Sequence, residues 1–467
     1  MSASKLSLAV SPAGAVEPMP EGIHNVYLYE VFNTTAWSIV LGAPMLLFLQ
    51  HLNATATVLA IAACLSPVLN ILQIPAARFV ERVGYRRFVL NGWTTRSFFI
   101  LGMTGVAFLP ESVDRTTRIV AMLFFSFGFN TARGISVCGV LPWFTHIVPE
   151  SRRGEFLARD QLAGALAAIT CLFVVGALLR GAHHAWYAFG VIFLISAVAA
   201  FISVLFIRHI PDVPVEKIIL NDNPIPWRDM FFYPPFFKYL RYNFVINTAL
   251  GISGVFWVRF FKTSLHISDS NVLFVACLSL VVLATGLFLA TPLIDRAGNK
   301  PVLTCSGLLF VCHFTGWALV AGGIIHLSKF ILCIQCVTSG LAGALWNLAN
   351  VRCVMGIIPA MGRPHFLALY SVVSNLTIGL VPLVWGPLVD VLQDWHAAWG
   401  FWDWNCYSLL YCVLTITIIA GLGVLRTLEE PQTMTWDVFM RELLVNTPSR
   451  SLTRILSRLR VLGTGAG

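Results

Sequence analysis

A chain of 467 residues with 57% hydrophobic and only 11% charged residues falls far below the roughly 25% charge of a soluble domain. Its 31 Lys and Arg against 22 Asp and Glu are too few to coat a water-facing surface, and the mean hydropathy is +0.78. A soluble enzyme, a nucleic-acid binder and a single-span receptor with a large ectodomain are excluded. At about 20 apolar residues per crossing and roughly 15 to 20 per connection, the length divides into about twelve crossings.

Residues 1–25 form an N-terminal segment without a basic stretch followed by an apolar one, so the first crossing is expected to direct insertion. Val31 to Ala77 contains no Asp, Glu, Lys or Arg and reads as two helices around the polar run Gln50, His51, Asn53. Crossings are predicted near 26–49, 56–79, 88–110, 118–148, 155–180 and 184–208, then near 237–262, 270–294, 301–323, 327–358, 365–391 and 404–426. The two sets make an N-terminal six-helix bundle over 26–208 and a C-terminal one over 236–426. Between them, 209–235 is a proline-rich linker that holds Asp212, Glu216, Lys217, Asp222, Arg228 and Asp229. In the tail, 427–467, Arg450, Arg454 and Arg458 recur one turn apart. They predict a basic amphipathic helix on an anionic leaflet; a partly ordered basic tail is the alternative. The 11 cysteines fall almost wholly in apolar segments and read as small apolar residues, Cys333 and Cys336 included. Asn53-Ala54-Thr55 is a glycosylation sequon, to which no role is assigned.

Basic residues gather in alternate connections: Arg78, Arg82, Arg86 and Arg87, then Arg152 and Arg153, then Arg208, Lys217 and Arg228, then Arg296, Lys300 and Arg363. Arg115, Arg118, Arg180, Lys262 and Lys329 are nearly all that faces the other way. This asymmetry puts both termini in the cytoplasm of a plasma (inner) membrane protein. An even number of crossings agrees, since it returns the chain to its starting side.

Two internal repeats stand in register with that topology. Glu81-Arg82-Val83-Gly84-Tyr85-Arg86 follows the second helix and Asp295-Arg296-Ala297-Gly298-Asn299-Lys300 the eighth. Ile147-Val148-Pro149, Arg153 and Phe156-Leu157-Ala158 are answered by Ile357-Ile358-Pro359, Arg363 and Phe366-Leu367-Ala368. With its loop from Ala77 through Glu81, Arg82 and Gly84 to Arg86-Arg87, the chain resembles the major facilitator superfamily, whose signature is similar to G-x-x-x-D-R-x-G-R-R/K. Ala77 stands for the leading Gly and Glu81 for Asp. The resemblance covers nearly the whole chain. It implies an all-α polytopic membrane protein with two pseudo-symmetric six-helix bundles around a central cavity, lined by the first, fourth, seventh and tenth helices and opened to alternate sides by rocking. Acid–base pairs at these loops can form in one rocked state and break in the other, so Glu81, Arg82, Gly84, Arg86, Arg153, Asp160, Asp295, Arg296, Gly298, Lys300 and Arg363 are candidate gating residues. The alternative for the bases is that they only anchor topology.

Ionisable groups at membrane depth are costly and mark function or pairing. Glu30 shares a face of the first helix with Asn33 and Trp37, and is the candidate proton-coupling carboxyl, or else the partner of Arg96 or Arg159. Arg133, with Asn130 and Ser126 on its face, is a candidate fork for a carboxylate or phosphate, or else pairs with Glu30 or Asp160. With Asn33, Trp37, Asn130 and Arg133, the residues Asn243 and Asn247 in the seventh helix and Trp346, Asn347 and Asn350 in the tenth make up the candidate substrate-binding set. Asp160 beside Arg159 is expected to help close the cytoplasmic side.

The expected activity is secondary active transport of a small polar solute by alternating access, with proton-coupled uptake favoured, working as a monomer in the lipid bilayer. No nucleic acid, cofactor, metal or catalytic residue is expected. The alternatives are an exporter of amphipathic compounds and a membrane sensor or scaffold on the same frame. Gly176-Ala177-Leu178 stands where drug exporters of the family carry a Gly-Pro-rich fifth helix, which weighs against export; the Gly-Pro pair is instead Gly386-Pro387. No G-x-x-x-x-G-K-[ST] loop for ATP occurs.

Overall fold

The structure is a computed structural model that describes residues 19–20, 22–149, 152–181, 185–213, 227–358, 363–400 and 402–428. The first half contains α1 (His24–Val40), α2 (Ala43–His51), α3 (Ala56–Leu69), α4 (Gln73–Val83), α5 (Tyr85–Ala107), α6 (Arg115–Ser136), α7 (Val140–Ile147), α8 (Arg153–Gly181) and α9 (Ala185–Ile207). After α10 (Trp227–Phe231) come α11 (Pro234–Thr263), α12 (Asp269–Ala297), α13 (Asn299–Ala321), α14 (Lys329–Ile357), α15 (Arg363–Val391), strands β1 (His396–Trp399) and β2 (Trp402–Asn405), and α16 (Cys406–Arg426). Most of the expected N-terminal segment, the linker from 214 to 226 and the tail from 429 lie outside the described residues.

Among the described residues, eleven helical stretches are long and apolar enough to cross a membrane. The expected third crossing corresponds to α5, whose 23 residues suffice in length. Its first half holds Arg86, Arg87 and Arg96, which keeps it outside the apolar set. Within each half the helices pack on one another: α1 on α8 and α9, α5 on α6 and α9, α13 on α14 and α16, and α11 on α15 and α16. The halves meet where α3 lies along α15 and α8 along α12. Much of the seam is glycine-lined: a Cβ on Gly386 would lie 2.8 Å from Thr57 Cα, and one on Gly176 3.4 Å from Leu273 Cβ. These contacts close the half of the molecule away from the chain termini.

Three of the long apolar stretches are interrupted, which the hydropathy pattern does not reveal. The first breaks between α1 and α2, where Pro44 has no N–H to give and Gly42 comes up against Ser38 O. The second tightens to a 3₁₀ turn at Asn70–Leu72 after Pro67, and the fourth at Val137–Gly139 before Pro142. The latter two breaks face each other, and a Cβ on Gly134 would meet Leu69 O at 2.2 Å.

The hairpin β1–β2 was likewise not expected. It turns at Gly400, whose φ of +64° suits glycine, and pairs antiparallel from His396 with Asn405 to Trp399 with Trp402. Asn405 then caps α16 in a reciprocal box with Ser408.

Candidate functional site

The first polar centre is built where α1, α5 and α8 meet. Glu30 accepts hydrogen bonds from Thr34 Oγ1 at 2.7 Å and Asn33 Nδ2 at 3.2 Å, the residues one turn on along α1. Asn33 Oδ1 in turn accepts from Arg96 at 2.5 Å, so the amide joins a base to the carboxyl without an ion pair. Arg96 is 2% exposed and lies 4.2 Å over the Trp93 ring, with Phe129 on a further side. Trp37 donates to Thr34 Oγ1 at 3.2 Å and keeps 38% of its surface exposed. Gly164 of α8 lets the backbone approach Glu30 so closely that a Cβ there would lie 3.2 Å from Oε1.

Arg133 lies at the paired breaks of the second and fourth apolar stretches. One guanidinium nitrogen donates to Ser66 Oγ at 3.1 Å and to Asn70 Oδ1 at 3.0 Å. The alternative pairings with Glu30 or Asp160 are not formed among the described residues. The side chain is thus held at one edge by neutral acceptors, and its partners come from α3 and the turn after it. Asn130 donates to Ser126 O at 2.9 Å and is 1% exposed, while its Oδ1 has no partner among the described residues.

In the second half the asparagines are spent on one another. Asn247 donates to Asn243 Oδ1 at 2.7 Å, and Ser374 donates to the same oxygen at 2.6 Å. Asn350 receives Tyr239 at 2.5 Å and donates to Tyr370 at 2.8 Å, and Asn243 reaches Asn350 Oδ1 at 3.5 Å. All three asparagines are buried. They brace α11, α14 and α15 together, whereas Asn347 of the predicted set is exposed. Trp346 is buried with its ring 5.6 Å from that of Tyr242.

A cluster at the end away from the termini escaped the sequence reading. Asp390 of α15 accepts from the backbone N–H of Ala56 at 2.6 Å and of Thr57 at 2.9 Å, and from Thr57 Oγ1 at 2.7 Å. It thereby supplies a carboxylate to the N-terminus of α3, where the helix dipole favours negative charge. Arg259 of α11 stands 3.6 Å from Asp390 and donates to Ala54 O at 2.9 Å and Gln393 Oε1 at 3.3 Å. Both halves of the chain are tied by this clamp. Asp390 and Arg259 sit near helix ends, where an ionisable residue looks like a solvated terminus; only their contact reveals a lock.

The repeated loops are symmetric in the structure. Gly84 and Gly298 begin α5 and α13 with φ of +86° and +84°, a conformation that only glycine takes cheaply. Two residues on, Arg86 donates to Arg208 O and Lys300 to Arg426 O at 3.1 Å, so each base ties the third helix of its half to the end of the sixth. Arg153 Nε reaches Val148 O at 3.4 Å. These bonds stay within one half and do not cross between halves. Arg82 is exposed. The side chains of Glu81, Asp295, Arg296 and Arg363 lie outside the described residues. Asp160 does not pair with Arg159, which instead bonds Glu155 at 2.6 Å.

Comparison with known proteins agrees with this architecture. The nucleoside transporter NupG superposes with a TM-score of 0.65 at 12% identity, covering 88% of this chain and 100% of that one. A D-xylose-proton symporter gives 0.67 at 13%, covering 88% and 99%. A bacterial homologue of the iron transporter ferroportin, in an inward-facing state, gives 0.62 at 14%, covering 87% and 97%. In sequence, a chloramphenicol resistance protein of Pseudomonas aeruginosa is 30% identical over 142 residues, a match that spans 30% of this chain and 32% of that protein. The family model of the Major Facilitator Superfamily matches residues 26–382, and the chain, with its two helical halves and doubled Gly loops, belongs to that superfamily of membrane transporters.

Proposed function

We propose that this transporter takes up a small polar solute together with protons, with Glu30 carrying the proton and Arg133 facing the solute. One observation supports the coupling: among the described residues, Glu30 accepts its hydrogen bonds from the neutral donors Thr34 and Asn33. Taking up or releasing a proton there breaks no ion pair, and a carboxyl at this depth is a functional site by default. Arg133, anchored at one edge, has its remaining donors available to an acceptor on the solute. With the termini in the cytoplasm, as the basic loops imply, the clamp at Asp390 closes the outer side.

Export of an amphipathic compound is the second reading. The stretch shared with the chloramphenicol resistance protein favours it. Uptake into proteoliposomes of sugars, organic acids and nucleosides, with and without an inward proton gradient, separates the two. Gradient-dependent accumulation lost in Glu30→Gln is the expected result. Accumulation that survives Glu30→Gln removes Glu30 from the coupling, and accumulation of nothing, with gradient-driven efflux of an amphipathic probe, overturns uptake.

A further inference from the structure

Parallel packing of α1 and α8 sets two side-chain stripes against each other. Phe156, Asp160 and Gly164 follow at four-residue spacing and share one face of α8. Phe156 packs its ring 5.8 Å from that of Tyr27, while the Gly164 backbone abuts Glu30 and Thr34. Asp160 therefore lies between the levels of Tyr27 and Glu30, one turn or roughly 6 Å nearer the termini than Gly164.

One orphaned atom occurs at this place. Asp160 Oδ1 is buried and has no hydrogen-bond partner among the described residues, while the buried Tyr27 hydroxyl nearby has Arg159 as its neighbour. A structural carboxylate in this protein looks different: both oxygens of Asp390 are satisfied by Ala56 and Thr57. Buried polar atoms are nearly always paired, so an orphan calls for a reason. The charged and titratable groups around Asp160 are Glu30, Tyr27 and Tyr29 on α1 and, on its own helix, Arg159 and Glu155, which bond each other. Of the other helices packed against α1 or α8, α9 carries Tyr187, and α12 carries Cys277 within the span and Asp269, Asp295 and Arg296 at its ends, the side chains of the last two lying outside the described residues.

We propose that Asp160 is a second proton-carrying carboxyl, which passes the proton between Glu30 and the end of the molecule that carries the termini. The proposal rests on the reading of Glu30 as the coupling group. In the transfer one proton leaves Asp160 Oδ1 and arrives on Glu30 Oε1, directly or through a water. Asp160 becomes a carboxylate and Glu30 neutral, so the pair keeps its charge while the proton changes owner. Two carboxyls so placed titrate as a pair, each with a midpoint that depends on the other. The expected role replaces that of a cytoplasmic closing residue.

Infrared difference spectra of the reconstituted, solute-free protein, recorded along a pH titration, test this. The parent is expected to lose carboxyl C=O absorbance in two steps. Asp160→Asn removes one step and moves the midpoint of the other by about one pH unit or more, and Glu30→Gln does the reciprocal. Asp160→Glu restores two steps and serves as the folded comparison if Asp160→Asn does not assemble. A Glu30 midpoint unmoved by Asp160→Asn, or a single step in both the parent and Asp160→Glu, overturns the proposal. Because no solute is present, this outcome is separate from the flux assay: accumulation that survives Glu30→Gln defeats the coupling reading whatever the spectra show.

Discussion

Arg96 illustrates what one side chain can hold together at membrane depth. It is buried to 2% exposure, lies on the Trp93 ring and reaches Glu30 only through Asn33. A desolvated cation on a ring contributes up to about 2 kcal/mol, and an interhelical hydrogen bond in a membrane roughly 0.6. Arg96→Met keeps much of the bulk and removes both, so a loss on the order of 2–3 kcal/mol is expected, read as a lower unfolding midpoint in detergent. A midpoint equal to that of the parent would show that Arg96 is not a structural anchor. Glu30 and Arg133 stood out in the sequence because an ionisable residue is conspicuous in an apolar run. Asn33, one turn from Glu30 on the same helix, was legible with it, whereas Ser66 and Asn70 become ligands of Arg133 only when helices meet.

At the level of elements, periodicity and charge placed the crossings well, because each long apolar run ends in a polar loop. They missed the breaks at Gly42–Pro44, Asn70–Leu72 and Val137–Gly139, since an extended residue or a 3₁₀ turn inside an apolar run alters neither hydropathy nor charge. The clamp at the N-terminus of α3 was equally hidden, because a cap supplied from a residue more than 300 positions away has no local signature. Asp390→Asn leaves one acceptor but removes the charge that faces the helix dipole and Arg259. Backbone amides of Ala56 and Thr57 are then expected to exchange hydrogen about 5- to 30-fold faster, the equivalent of roughly 1–2 kcal/mol of easier opening. Exchange at the parent rate would mean that the seam of α3 and α15 is held by packing alone.

Across the whole molecule the duplication is the feature the sequence disclosed best, and the structure gives it a physical form: Gly84 and Gly298 share one backbone conformation, and Arg86 and Lys300 hold matching helix ends. Bases that bind inside their own half make each half a rigid unit, which is what rocking requires. The asparagines of α11 and α14 stiffen the second half in the same way, a role that their spacing alone could not distinguish from solute contact. Rigid halves can alternate only if the glycine-lined seams between α3 and α15 and between α8 and α12 separate. Gly176 and Leu273 lie on the second seam, where a Cβ added to Gly176 would stand 3.4 Å from Leu273 Cβ, close to the 3.5–4.5 Å span of a disulfide. Gly176→Cys with Leu273→Cys should therefore cross-link under mild oxidant, stop flux, and recover it on reduction, with each single variant as the control for the native thiols. Flux that continues through a complete cross-link would show that α8 and α12 stay together throughout the cycle, and the alternation would have to arise within one half rather than between the two.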